Sequence, residues 1–182
     1  MSQIISASPT ITDMIREEHA QVMSTLHQYR AESPSDAKQK LVNTVGLALE
    51  NQALLKAEIF YPALRALAAD EEVLLKSEAA HRQMRSLIGQ LRDMQPTASH
   101  YDDTVATLTQ IFDQHTAEEE AALLPQAEWL LRDQLRKLGL KMRTRQLVMS
   151  GPSLRQVGTV LLAFGGFLAG GYLIKRALER RA

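Results

Sequence analysis

The stretch ENQALLKAEIFYP, residues 50–62, has the apolar spacing of a helix that packs in a protein core. Leu55 and Ile59 lie one turn apart on its apolar face. Gln52 and Lys56 also lie one turn apart, at positions where the same spacing calls for inward-facing side chains. The stretch therefore predicts a buried helix with an amide and an ammonium group in its core face, which needs an explanation.

The composition indicates one globular domain with an appendage. The chain has 182 residues, of which 45% are hydrophobic and 5% aromatic, and its formal net charge is zero, so nothing in it favours a nucleic-acid partner. It contains no cysteine, which excludes a disulfide framework and thiolate metal sites and is compatible with a reducing compartment. No basic segment followed by an apolar run opens the sequence, so we predict no cleaved secretion signal.

The pattern along the chain predicts an all-α domain. Glycine and proline are scarce before residue 139, and apolar residues recur at helical spacing. We predict four helices at about residues 12–31, 36–69, 70–94 and 99–148. Thr10 or Thr12 is expected to cap the first, and Pro62 and Pro125 are expected to kink the second and fourth. Short connections predict an antiparallel, up-and-down four-helix bundle.

Each predicted helix carries polar residues in the middle of its apolar stripe. They are His19, Gln52 with Lys56, His81, and His115 with Glu119. Their distances from the turns at Pro34 and Pro96 place them in one layer of an antiparallel bundle. A single histidine on an apolar face is usually a hydrogen-bonded core residue, but the same interruption in four helices favours a shared site. Imidazole nitrogen with carboxylate oxygen suits iron, manganese or zinc.

The order of these residues resembles the hemerythrin-like HHE cation-binding domains over most of residues 11–148. The resemblance rests on AEIFYPAL at the end of the second helix, EAAHRQM around His81 and HTAEEEAALLP in the fourth helix. It implies a four-helix bundle with a non-haem di-iron centre that binds or senses oxygen, nitric oxide or peroxide, or handles iron. Four residues match the family's ligand positions: His19, His81, His115 and Glu119.

The second helix departs from the family pattern. Aligning its Phe-Tyr-Pro motif puts Gln52 where a histidine is expected and Lys56 where the bridging glutamate is expected. A charged ammonium has no lone pair and cannot bind a metal, and Glu50 and Glu58 lie on the other face of the helix. Three alternatives follow: a metal-free core in which Lys56 pairs with Glu119, one metal ion held by the four remaining ligands, or a di-iron site with unusual ligands. We expect iron as one ion or none.

The last forty residues differ in kind. Residues 157–174, VGTVLLAFGGFLAGGYLI, contain no charged side chain and would span about 27 Å as a helix, close to the hydrocarbon thickness of a bilayer. We predict an N-terminal segment, the bundle, a Gly/Pro linker, a transmembrane helix and a basic tail at residues 1–10, 11–148, 149–155, 156–177 and 178–182. Gly166 and Gly170 could support a homo-oligomer. The alternative is a fifth helix buried against the bundle or in an oligomer interface.

These patterns give two function hypotheses. One is a membrane-tethered hemerythrin-like protein that binds or senses oxygen, nitric oxide or iron through an altered metal site, with a single C-terminal anchor in the cell membrane and its bundle facing the cytoplasm. The other is a metal-free, degenerate bundle that serves as an interaction or structural module. We predict no catalytic residues, because no nucleophile, phosphate loop or acid-base pair is visible outside the bundle core.

The remaining polar and aromatic residues are given simpler roles. His27 and His100 are predicted to be solvated. Glu120 is predicted to lie on a solvated face, where it could still accept a hydrogen bond from a ligand. Tyr61 and Trp129 are predicted to be packing residues.

Overall fold

A computed structural model describes residues 8–67 and 69–149, and all the regular structure in these residues is helical, as predicted. The helices are α1 Ile11–Leu26, α2 Ser35–Leu55, α3 Tyr61–Arg65, α4 Glu71–Asp93, α5 Tyr101–Glu118, α6 Leu124–Leu130 and α7 Leu135–Met149. Two π-helical segments, π1 Lys56–Phe60 and π2 Glu119–Leu123, join α2 to α3 and α5 to α6. The chain divides into two compact units, residues 1–146 and 147–182. The bundle belongs to the first unit, and the second is described only over residues 147–149.

The bundle is closed by four helices packed in a ring. α1 packs against α2, α2 against α4, α4 against α5, and α5 against α1. Their apolar stripes meet in a core that includes Val22, Val45, Met84, Ile88 and Phe112. Burying side chains of this size stabilises a fold by about 1.5 to 3 kcal/mol each, so this core positions the polar layer beside it.

The start of α1 follows the predicted capping pattern. The Thr10 hydroxyl accepts from the Asp13 backbone N–H, and the Asp13 carboxylate accepts from the Thr10 backbone N–H. Both bonds satisfy backbone donors that the first turn of a helix leaves without partners. The cap therefore fixes where α1 begins, eight residues or so before His19.

The two proline-bearing helices contain a local change of register. In π1 the Tyr61 N–H donates to the Lys56 carbonyl, and in π2 the Leu124 N–H donates to the Glu119 carbonyl, five residues earlier in each case. A proline, Pro62 or Pro125, follows immediately. Because a proline ring clashes with the carbonyl four residues before it, the wider π turn accommodates the proline inside the helical rod.

The prediction of a single fourth helix over residues 99–148 is wrong. α6 ends at Leu130, a turn covers residues 131–134, and α7 starts at Leu135. Leu131 leaves the helical region with φ −102° and ψ 12°, and its side chain is buried. At Gly139 an added Cβ would lie 2.3 Å from the Pro9 carbonyl oxygen, so α7 crosses the start of α1 where it has no side chain.

No helix within residues 8–67 and 69–149 is long and apolar enough to cross a membrane. The segment predicted to do so, residues 157–174, lies outside the described residues. So do Gly166, Gly170, the basic tail 178–182 and the linker residues after Met149.

Candidate metal centre

The six residues that interrupt the apolar stripes come from four sides of the bundle. His19 lies on α1, Gln52 on α2, His81 on α4 and His115 on α5, while Lys56 and Glu119 begin π1 and π2. None of the six is more than 5% exposed. The expectation that these residues lie inside the bundle is therefore confirmed.

Three of them bring metal-binding atoms together. His19, His115 and Glu119 each offer one donor atom, and these atoms lie within 4.8 Å of one another. The Glu119 Oε2 atom is 3.2 Å from His19 Nε2 and 3.7 Å from His115 Nε2. His81 lies beside this group, with its ring centroid 4.6 Å from that of His115. Two imidazoles and one carboxylate form a donor set that suits a ferrous ion.

Lys56 reaches into the same group. Its Nζ atom lies 2.5 Å from Glu119 Oε2 and 3.1 Å from His19 Nε2, and its side chain is fully buried. The ion pair between Lys56 and Glu119 considered from the sequence is therefore present. A protonated Lys56 supplies one positive charge at the carboxylate where a metal ion would supply two or more.

Glu119 also receives donors on its other oxygen. The Ser77 hydroxyl donates to Oε1, and the Tyr61 hydroxyl lies 3.4 Å from the same atom and 2.7 Å from Ser77 Oγ. Burial by itself raises the pKa of Glu119. The Lys56 ammonium and His19 lower this pKa by more than burial raises it, so it lies well below its ordinary value. Glu119 is therefore a carboxylate at neutral pH.

Sequence reasoning missed Ser77 and gave Tyr61 only a packing role. Ser77 lies four residues before His81 in α4 and hence on the same helical face, which is a signal that could have identified it. Tyr61 is buried, as predicted, and its hydroxyl also joins the polar layer. The carboxylate thus has a neutral donor pair on one oxygen and a cation on the other.

The orientation of His19 is set from outside the core. Its Nδ1 atom lies 3.1 Å from Glu120 Oε1, so Glu120 accepts a hydrogen bond from the His19 ring. An ammonium group only donates, so Nε2 of His19 accepts from Lys56 when the ring proton is on Nδ1. This tautomer is also the one that leaves Nε2 able to bind a metal.

The other two histidines are held neutral. Burial, reinforced by the nearby Lys56 charge, lowers the pKa of His81 to about 2. Burial also lowers the pKa of His115 to about 4, although Glu119 partly opposes the change. Both rings therefore keep a free lone pair at neutral pH, as metal binding requires.

Comparison with protein families identifies the domain. The family model of the hemerythrin HHE cation-binding domain matches residues 10–127. The chain belongs to this family. The crystal structure of a hemerythrin HHE cation-binding domain-containing protein from Mycobacterium kansasii is similar, with a TM-score of 0.67 and 21% sequence identity, over 83% of this chain and 93% of that one. No curated protein matches the chain.

A hemerythrin HHE domain binds metal cations, typically iron, so the polar layer can be tested for its fit to them. The Nε2 atoms of His81 and His115 and both amide atoms of Gln52 are buried without a hydrogen bond of normal geometry within the described residues. Leaving such atoms without partners costs about 1 to 3 kcal/mol each, and the two histidine nitrogens are suitable metal ligands. The layer fits one cation.

The layer does not fit two cations. On the α2 side the family positions hold Gln52 and Lys56, and Lys56 has no lone pair while charged. Burial raises the pKa of the nearby Glu18 carboxyl, although Lys56, His19 and Gln52 each lower it in part. Glu50 and Glu58, the carboxylates two residues from Gln52 and Lys56, do not replace the missing bridge, because Glu50 pairs with Arg92 and Glu58 with Arg145 at the surface.

The residues predicted to be peripheral are outside the centre. His27 and His100 are exposed, as predicted, and His27 Nε2 lies 3.7 Å from Asp113 Oδ2. The prediction that Trp129 packs in the interior is wrong, because its side chain is 70% exposed. α6 turns Trp129 outward, while Ala127 on the same helix faces the core.

Proposed function

We propose that this bundle binds one metal ion, iron by preference, in competition with the ammonium group of Lys56. His19, His115 and Glu119 would hold the ion, with His81 as a further ligand. The convergence of three donor atoms within 4.8 Å carries the proposal. Gln52 and Lys56 explain why the proposal stops at one ion.

Electrostatic repulsion prevents a metal ion and the charged Lys56 ammonium from occupying the site together. Unit charges 4 Å apart interact by about 4 kcal/mol at an effective dielectric constant near 20, so a divalent ion beside a charged Lys56 meets a repulsion of about 8 kcal/mol. That repulsion cancels the attraction of about 8 kcal/mol that Glu119 offers the same ion at the same distance, so no net Coulomb gain is left for the metal. Metal binding therefore requires Lys56 to turn away from Glu119 or to lose its proton.

The bound ion would have a receptor or storage role. A ferrous ion held by these imidazoles and one carboxylate would keep an open position for a small ligand. The family resemblance supports oxygen or nitric oxide as that ligand, or iron itself as the cargo. Ser77 and Tyr61 would keep the Glu119 carboxylate oriented, and Glu120 would keep the His19 ring oriented.

We also propose that residues 157–174 anchor the protein in the cell membrane, with the bundle on the cytoplasmic side. The absence of charged side chains in this run supports the anchor. Both flanks of the run are basic, and the one that precedes it supports the orientation. Gly166 and Gly170 support a homo-oligomer of the anchor. Protease treatment of sealed inside-out vesicles should degrade the bundle, and protection of the bundle would contradict the orientation.

A second candidate function is a metal-free interaction module. The 2.5 Å contact between Lys56 Nζ and Glu119 Oε2 favours it, because this pair neutralises the carboxylate without a metal. In that case the bundle would act through its surface or its anchor alone. The two candidates differ in whether removing Lys56 creates a strong metal site.

Anaerobic titration of the metal-stripped full chain with ferrous iron separates the candidates. We expect at most one equivalent in the wild type, and one equivalent bound at least about a hundredfold tighter in Lys56→Met, because the competing charge is gone. Lys76→Met is the matched control, since Lys76 is exposed and its ion pair with Glu72, one turn away, lies at the surface. Two equivalents in the wild type would contradict the one-ion site, and no binding in Lys56→Met would favour the metal-free module.

A further inference from the structure

Helix α7 presents a basic outer face. Its sequence, LRKLGLKMRTRQLVM, contains no Asp or Glu. Within the first unit its exposed cations are Arg136, Lys137, Lys141 and Arg143. At about 100° per residue, Arg136 and Arg143 lie on one side of a strip formed by Leu140 and Thr144, and the two lysines lie on the other. The face is therefore a weakly polar strip bordered by positive charge on both edges.

The opposite face of α7 holds the helix on the bundle. Gly139 crosses Pro9 at a distance that leaves no space for a side chain. Arg145 forms a two-bond ion pair with Glu58, with its Nε atom 2.7 Å from Glu58 Oε2, and the Gln146 amide donates to Glu18 at 2.5 Å. These contacts fix the rotation of α7, so the basic face points away from the bundle.

The cations on this face are not neutralised by the bundle. Among the described residues, Lys137, Lys141 and Arg143 take part in no ion pair. The Arg136 guanidinium donates a hydrogen bond to the Ser8 carbonyl, 2.6 Å away. Lys141 is close enough to Glu58 to lower the pKa of that carboxyl, but the Arg145 hydrogen bond is the larger cause. A partner for this face should therefore be anionic.

We propose that the outer face of α7 docks on the surface of an anionic lipid bilayer. Basic segments next to a membrane anchor are attracted to anionic lipid headgroups. The uncharged run starts at residue 157, shortly after α7 ends at Met149, so the helix would lie near the membrane if the run inserts. A nucleic-acid partner is less favoured, because the chain has no net charge and the face carries no aromatic residue for base stacking.

This inference rests on the proposed anchor, so the test measures the anchor and the docking separately. The chain has no cysteine, so Thr144→Cys carries a single nitroxide spin label. Thr107→Cys is the matched control: Thr107 is also an exposed helical threonine whose hydroxyl donates to the carbonyl four residues earlier. Thr107 lies on a different helix, α5. The first turn of α5 contacts Tyr29, just after the end of α1, whereas α7 crosses the start of α1.

The labelled full chain is placed in lipid nanodiscs of phosphatidylcholine alone or mixed with phosphatidylglycerol. Docking predicts that collisions of the Thr144 label with a neutral aqueous nickel chelate fall about threefold or more in the anionic discs, and recover in high salt. The label at Thr107 should not change. The triple variant Lys137→Gln, Lys141→Gln, Arg143→Gln should lose the lipid dependence while remaining in the discs.

The other outcomes decide against the docking or against the anchor. A chain that enters the discs but gives the same Thr144 collisions in both lipids overturns the docking and leaves the anchor standing. A chain that does not enter neutral discs or vesicles overturns the anchor. In that case docking predicts that the wild-type protein sediments with anionic vesicles and that the triple variant does not. A wild-type protein that fails to sediment overturns the docking too. The docking would also be overturned if added RNA reduced the nickel collisions of the Thr144 label in neutral discs while phosphatidylglycerol had no effect on them.

Discussion

The rods formed by residues 35–65 and 101–130 have the same backbone design but different chemistry at the centre. Each consists of an α-helix, a π segment and a short α-helix with proline at its second residue. In each, the carbonyl of the first π residue accepts the N–H five residues later. That first residue is Lys56 in one rod and Glu119 in the other, and their side chains contact each other.

The comparison teaches that this backbone design does not require a metal ligand on both rods. Four residues before these positions stand Gln52 and His115, so one rod offers an imidazole and a carboxylate, and the other an amide and an ammonium. The π segments and prolines are present in both. The ammonium of one rod neutralises the carboxylate of the other, which keeps the buried layer close to electrically neutral.

Removing the Lys56 ammonium should have the largest effect on stability. Lys56→Met leaves the Glu119 carboxylate buried without a cation, so we expect the free energy of unfolding of the metal-stripped protein to fall by about 3 to 5 kcal/mol. Urea unfolding measures the loss. Lys76→Met should change stability by less than about 0.5 kcal/mol because its ion pair is exposed. Equal effects of the two substitutions would contradict the structural role of Lys56.

Acid should destabilise the metal-stripped bundle through His81 and His115. Their pKa values are lowered to about 2 and about 4 in the folded protein, whereas unfolded histidines titrate near 6.5. The unfolded state therefore binds more protons below pH 6.5, and stability falls as the pH falls. We expect a loss of about 3 kcal/mol between pH 7.5 and 5.5, halved in His81→Gln. Unfolding curves that coincide from pH 7.5 to 5.5 would rule out buried neutral histidines.

The Ser77 hydroxyl should contribute less than the Lys56 charge. Ser77→Ala removes a hydrogen bond to a buried carboxylate, which is worth about 1.5 to 3 kcal/mol. Ser86→Ala is the control on the same helix, since Ser86 is exposed and accepts a long hydrogen bond of 3.4 Å from the Gln90 amide. Thermal unfolding of both variants, metal-stripped, measures the difference. A Ser77→Ala protein as stable as Ser86→Ala would show that Tyr61 alone can satisfy Glu119.

The prolines should have the smallest effect, and the same effect in both rods. Pro62→Ala and Pro125→Ala each restore a backbone donor but lose the restriction that proline places on the unfolded chain, so we expect each to change stability by about 1 kcal/mol or less. Urea unfolding of the two variants makes the comparison. A much larger loss at one proline would show that the two π segments do not have equivalent roles.

The sequence predicted the helical class, the capped start of α1 and the burial of the polar layer, because these follow from the 3.6-residue period and from local hydrogen bonds. Two features were missed for physical reasons. The turn after Leu130 contains no glycine or proline, and tertiary packing of Leu131 decides it. Ser77 is a short polar residue common on any helix, and its role depends on the position of Glu119 across the bundle. Trp129 is exposed although its residue type favours burial.

The most direct test of this account is the number of iron ions bound per chain by the double variant Gln52→His, Lys56→Glu. Because the two rods share one backbone design, restoring an imidazole and a carboxylate to the first rod should rebuild the second half of the centre. Metal analysis after anaerobic reconstitution should give about two ions per chain in the double variant and at most one in the wild type. A double variant that binds no more iron than the wild type would contradict the equivalence of the two rods and the assignment of Gln52 and Lys56 to the lost ligand positions.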